Sequence, residues 1–169
     1  LVLNNIITKL YLTKRNCDSL IEWNKNKNIT ITSENRMAVK NSDILIFAVQ
    51  PSQFENILIE IKDLLNDKHV IISTITGFKI NRIESVITSK YPIIRSMPNT
   101  AISVGKSMTC LCSNNKGNKR IDIASAIFNS LGTSTIIEEK HMQAATVLCA
   151  SGIAFWMRLI RATTQGGVE

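Results

Sequence analysis

Four short clusters in this 169-residue sequence carry side chains that could do chemistry. Thr13, Lys14, Arg15 and Asn16 gather a hydroxyl, an ammonium, a guanidinium and an amide at the end of an apolar run, a set suited to gripping an anion. Ala48, Val49, Gln50 and Pro51 end a second run with small or φ-restricted residues, which let backbone approach a ligand closely. Ser73, Thr74, Ile75, Thr76 and Gly77 end a third, and Arg95, Ser96, Met97, Pro98, Asn99 and Thr100 a fourth. Each has an ordinary reading too: a solvated turn at 13–16, and at 48–51 a strand–helix turn with Pro in the first turn. Successive run ends carrying hydroxyls, an amide and Gly or Pro are harder to dismiss together than singly.

The elements that would position these clusters alternate along the chain. Residues 10–13, 29–32, 44–49, 70–75 and 93–95 are short and β-rich; 44–49 is apolar throughout, the mark of a strand buried on both faces. Helical stretches fall at 19–25, 54–65 and 80–88. Phe54, Ile57, Leu58, Ile61 and Leu65 share one helical face, and Ser52 with Glu55 fits a capping box. Past Pro98, a strand at 107–112, a helix at 119–131 closed by Gly132, and a strand at 133–137 precede a helix over 138–165 whose weak point is Gly152. This rhythm predicts an α/β domain with a mostly parallel sheet and helices on both faces, in which 44–49 and 70–75 are adjacent central strands.

Sheets of that type bind ligands at the carboxyl ends of their strands. In the dinucleotide-binding kind, an acid after the second strand pairs with a free ribose 2′-hydroxyl, whereas Arg accommodates a 2′-phosphate. Here that corner holds Thr13 and Arg15, and the nearest carboxylate, Asp18, is displaced into the next helix. The glycine-rich phosphate loop belongs roughly 20 residues earlier. No G-x-G-x-x-G occurs in the sequence, so the expectation is that loop and first strand precede Leu1.

Bulk properties exclude several other classes. The net charge of +7 is spread without a run of five basic residues, and aromatics make up 5%, so base-stacking nucleic-acid surfaces are not expected. Cys17, Cys110, Cys112 and Cys149 form no C-x-x-C pair, and His69 and His141 are isolated; the expectation is reduced structural thiols and no metal site. The apolar runs at 43–49 and 70–75 are too short to cross a bilayer, and the start does not read as a secretion signal, so no membrane association and a cytoplasmic location are expected.

The clusters resemble those of pyrroline-5-carboxylate reductases along nearly the whole chain. Arg95, Met97, Pro98, Asn99, Thr100 and Gly105 are similar to the family's R-x-M-P-N-T-P-x-x-x-G, with Ala101 at the second Pro. Ala48, Val49, Gln50 and Pro51 resemble A-V-K-P with Gln for Lys, and Ser73 to Gly77 resembles S-x-x-A-G. Ala150, Ser151, Gly152, Ile153 and Ala154 resemble G-S-G-P-A, departing at Ala150 and Ile153; Ile for Pro is a variant expected of the Bacteroidetes branch.

The resemblance implies a Rossmann-like NADP-binding domain over 1–137, missing its first strand. A connecting helix over 138–169 would then lead to an all-helical dimerisation domain outside this sequence. It also implies that Thr13 and Arg15 lie by the adenosine 2′-phosphate and Asn35 by the adenine ribose. Ala48, Val49, Gln50 and Pro51 would line the cofactor, with Thr76, Gly77 and Asn99 nearer the nicotinamide. The implied reaction is reduction of 1-pyrroline-5-carboxylate to L-proline, with NADPH preferred and NADH also accepted, in a homodimer or higher oligomer. Gln50, in place of the family's Lys, removes one positive charge near the cofactor. The sequence alone assigns no catalytic residue, and the chain by itself is expected to be inactive. Two alternatives are a related reductase of the β-hydroxyacid type and a non-catalytic dinucleotide-binding module. The first uses a catalytic Lys on the long helix, where this sequence has only Lys140, at the start.

Overall fold

A computed structural model describes residues 6–168. Short β-branched runs bounded by turn residues give β1 (Leu10–Thr13) and β2 (Ile29–Thr32), paired in parallel with Leu10 opposite Ile29. The crossover between them is a 3-10 stretch, Asp18–Lys25. A five-stranded ladder follows, built from β3 (Ile44–Phe47), β4 (Val70–Ser73), β5 (Ile93–Met97), β6 (Ser107–Ser113) and β7 (Gly132–Ile136) in that spatial order. All its pairings are parallel except β5 with β6. The crossovers are α2 (Pro51–Ile61), α3 (Ile80–Ile87) and α4 (Ile121–Asn129), while α1 (Asn35–Lys40) joins β2 to β3. The expected α/β architecture is present.

Alternation along the strands sorts the core into two layers. Ile71 and Ile93 face a cluster with Phe54, Leu58 and Ile61 from α2, Ile83 from α3, and Phe78 from the loop before α3. Val70, Ile72, Ile94 and Leu111 face another with Ala124, Ile127 and Phe128 from α4. Phe54 sits between Phe47 and Phe78, with ring centroids 5.1 and 4.8 Å away. β4 is buried at every residue, as expected of a central strand.

β3 corrects the sequence reading. It is adjacent to β4 as expected, but it lies at the edge of its ladder, ends at Phe47, and leaves Ile46 42% exposed. The free edges of β1 and β3 flank a cavity of about 670 Å³, lined by Leu10, Leu12, Ile44, Ile46 and Val39 among others. The capping box is also corrected. α2 begins at Pro51 behind an N-cap at Gln50 with no side-chain cap, so Ser52 is already inside the helix and Pro51 supplies the start.

The long C-terminal helix is not uniform. A 3-10 turn (Glu139–His141) leads into α5 (Met142–Ala145), a π-helical turn (Thr146–Ser151) and α6 (Gly152–Gly166). Over Glu139–Gly166 it is long and apolar enough to span a bilayer by length and composition, a property hidden by measuring only the strand-like runs. Phe155, Trp156 and Leu159 are 74, 61 and 57% exposed on α6.

Candidate nucleotide cleft

The carboxyl ends of β1, β2 and β3 open onto one cleft of about 840 Å³. Its walls bring together Thr13, Arg15, Asn35, Ala48, Val49 and Gln50, six of the ten residues singled out in the sequence. Pro51 begins α2 beside it. Thr76 and Gly77 follow β4, and Asn99 follows β5, so these three are further along the same edge of the sheet and line no part of this cleft. Gly77 holds φ +75°, a left-handed turn that a residue with a Cβ would strain.

Five cleft residues are absent from the sequence reading of the site: Ser33, Gln53, Asn56, Glu60 and Ile57, the last expected only on the core face of its helix. A signal for three of them exists, because Gln53, Asn56 and Glu60 recur at spacings of three and four along α2, on the face away from Phe54, Leu58 and Ile61. Ser33 directly follows β2 and could have been found by the strand-end rule applied there.

Charge in the cleft is unevenly committed. Lys14 Nζ donates to Ser19 Oγ at 2.7 Å, and Asn35 Nδ2 donates to Glu60 Oε2 at 3.0 Å. The neighbouring Arg36 is occupied outside the cleft by both oxygens of Asp63, each at 2.7 Å, which holds the Asp63 carboxyl below the usual carboxylate range. Arg15 makes no hydrogen bond or ion pair among the described residues. It is therefore the cleft's uncommitted guanidinium, with the fork geometry that suits a phosphate.

Asn99 is held by protein at both ends of its amide. Its Oδ1 accepts from the Ala101 N–H at 3.1 Å, and its Nδ2 donates to the Cys149 carbonyl at 3.0 Å. Arg95, 5% exposed, donates from Nη1 to Glu139 Oε1 at 2.7 Å, and the same oxygen accepts from the Ile80 N–H at 2.8 Å. The remaining candidates are structural. His69 is buried, its Nδ1 accepting from the Asn66 N–H while Nε2 faces the Val39 carbonyl. Burial pushes the Cys112 thiol up to about 11, and burial together with Cys149 pushes Cys110 up, so neither is a ready nucleophile. No metal-holding cluster occurs among the described residues.

A mostly parallel sheet with a polar cleft across its strand ends defines a doubly wound nucleotide-binding domain. Comparison with known proteins narrows this. Residues 4–77 match the family model described as NADP oxidoreductase coenzyme F420-dependent. Pyrroline-5-carboxylate reductase 1 of Dictyostelium discoideum is 40% identical over 95% of this chain and 31% of its own length. The pyrroline-5-carboxylate reductase structure from Coxiella burnetii superposes with a TM-score of 0.91 at 26% identity, over 98% of this chain and 63% of that one. The Plasmodium falciparum pyrroline carboxylate reductase structure with NADP bound gives 0.79 at 27% identity, over 95% and 69%. The chain is thus similar to pyrroline-5-carboxylate reductases over 95% or more of its length. It spans less than two thirds of the length of the curated relatives it matches.

Proposed function

We propose that the cleft holds the adenosine half of NADP(H), with the 2′-phosphate on Arg15 and Thr13 and the ribose beside Asn35. The observation that carries this reading is Arg15, an uncommitted guanidinium in a cleft with Thr13, Ser33 and Asn35, where basic residues, not a carboxylate, directly follow β1. Asp18, the nearest acid in sequence, sits in the 3-10 stretch outside the cleft lining. Glu60 is the one carboxylate in the lining, and Asn35 holds it. Ala48, Val49, Gln50 and Pro51 pass under the cofactor, and Thr76, Gly77 and the Asn99 loop mark the nicotinamide end. Gln50 offers an amide in place of a cation, so NADPH is preferred but NADH is accepted.

The protein of which this chain forms the nucleotide-binding part reduces 1-pyrroline-5-carboxylate to L-proline in the cytoplasm, the last step of proline synthesis. When bound, the reduced nicotinamide supplies the hydride for the imine carbon. This chain's residues bind the cofactor and fix its orientation. The gap between β1 and β3 matches the first-strand position in the doubly wound order 3-2-1-4-5-6. A parallel strand carrying the glycine-rich loop would fit there and bring the loop to the pyrophosphate. Residues 1–137 form the nucleotide domain and 138–169 the connector to a helical domain that covers the apolar face of α6 and makes the dimer. The β-hydroxyacid reductase alternative is disfavoured, because the one lysine past residue 138 is Lys140, in the exposed 3-10 turn that precedes α5 and not on the long helix itself.

Arg15→Ala tests the cofactor assignment. Loss of a charge-assisted contact to phosphate costs about 1.5–3 kcal/mol, so NADPH binding should weaken by roughly 10- to 100-fold with NADH nearly unchanged. Titration of both nucleotides by nicotinamide fluorescence reads the difference. Equal weakening of the two would remove Arg15 from the 2′-phosphate.

A further inference from the structure

The motif stretch 95–99 makes two bonds that cofactor binding does not require. Arg95 reaches Glu139 at the first turn of the C-terminal helix, and Asn99 reaches the Cys149 carbonyl inside its π turn. Ten residues of helix separate the two attachment points, about 15 Å along its axis. Between them Met142 is 1% exposed in the main core and Ala145 packs against it, as does Ala150 just past the second point. Beyond them burial stops: no residue of α6 is buried. The change from anchored to unanchored helix coincides with the π turn, a geometry that occurs mostly as single turns at functional positions. Gly152 fits that turn because a Cβ there would lie 2.6 Å from the Val147 carbonyl oxygen.

We propose that 95–99 is a two-point mount for this helix, with Asn99 the positioning residue that fixes the π turn and so the direction in which α6 leaves the domain. Asn99 is suited to this because its amide works in two directions. The oxygen shapes its own 3-10 turn (Thr100–Val104) through Ala101, while the nitrogen holds the helix. A change at the strand end is thereby transmitted to α6 through one rigid side chain, 9% exposed. This role is independent of which nucleotide the cleft takes.

Asn99→Asp separates the two bonds, because a carboxylate still accepts from the Ala101 N–H but cannot donate to the Cys149 carbonyl. The Cys149 thiol should react with an aromatic disulfide reagent about tenfold faster, the equivalent of one lost hydrogen bond. Amides of 146–151 should lose a similar factor of hydrogen-exchange protection. Cys17 labelling and protection of β5 should stay at parental values, which a general loosening would not allow. Unchanged Cys149 and 146–151, or a uniform rise that includes Cys17 and β5, overturns the proposal. Hydrogen exchange on the unsubstituted chain is a second test that needs no variant. Residues 142–151 should exchange with β5, and 155–166 well ahead of them; exchange of 146–151 together with α6 also overturns it.

Discussion

Glu139→Ala is expected to lower the stability of the chain by about 3 kcal/mol, the low end for breaking a buried ion pair by removing one partner. The low end applies because the Glu139 side chain is 32% exposed, whereas that of Arg95 is only 7% exposed and would be left charged without its partner. The same carboxylate oxygen also takes the Ile80 N–H at the start of α3, so the substitution leaves that amide without its acceptor. Glu139→Gln keeps an acceptor for both donors and should cost roughly half as much, in line with the difference between charged and neutral hydrogen bonds. Urea denaturation of the two variants and the parent reads the result directly. A loss under about 1 kcal/mol for Glu139→Ala would show that Arg95 finds water or another acceptor, because a truly stranded charge costs several times that.

Gly132→Ala is expected to cost more, about 4 kcal/mol, in the range reached only by a few mechanisms. Gly132 begins β7 with φ +145°, and a Cβ would lie 2.1 Å from the Ser107 carbonyl oxygen and 2.5 Å from its nitrogen. Both are backbone atoms of the paired strand, with Gly132 in register opposite Ser107, so β6 and β7 must part. Gly77→Ala is the control: it carries φ +75° but meets nothing within 4 Å, so it should show backbone strain alone, on the order of 1–2 kcal/mol. The damage at Gly132 should also travel. Ser107 Oγ accepts from the Asn99 N–H at 3.2 Å, so moving Ser107 disturbs the loop after β5. Chemical denaturation of the two variants should separate them by at least about 2 kcal/mol; equal losses would show that the β6–β7 ladder absorbs the methyl group.

Much of the sheet was legible because its strands are short, apolar and bounded by turn residues. β1 and β2 fall on the expected residues, and β4 is buried throughout. β3 misled for a physical reason: an apolar run signals a place for burial, and Ile46 lines the slot between β1 and β3, where it is left exposed. α1 was missed because six residues behind Glu34, with no side-chain cap, give too little periodicity to register. The cleft was half legible. Strand-end hydroxyls and Arg15 announce themselves, whereas Gln53, Asn56 and Glu60 are ordinary polar positions on a helix until the fold turns that face toward Arg15. The ties from 95–99 to the C-terminal helix had no sequence signal, since Arg95 and Glu139 are 44 residues apart and Asn99 and Cys149 are 50 apart.

Recognition of an adenosine 2′-phosphate by the cleft beside Arg15 can be tested on this chain directly with the half-cofactor. Titrating adenosine 2′,5′-bisphosphate into isotope-labelled protein, with adenosine 5′-monophosphate in parallel, isolates the 2′-phosphate from every other part of the dinucleotide. Amide shifts are expected at Thr13, Arg15, Ser33, Asn35 and Ala48, with binding at least about tenfold tighter for the bisphosphate, as one charge-assisted phosphate contact requires. Equal affinity for the two nucleotides, or shifts that bypass Thr13 and Arg15, would contradict 2′-phosphate recognition.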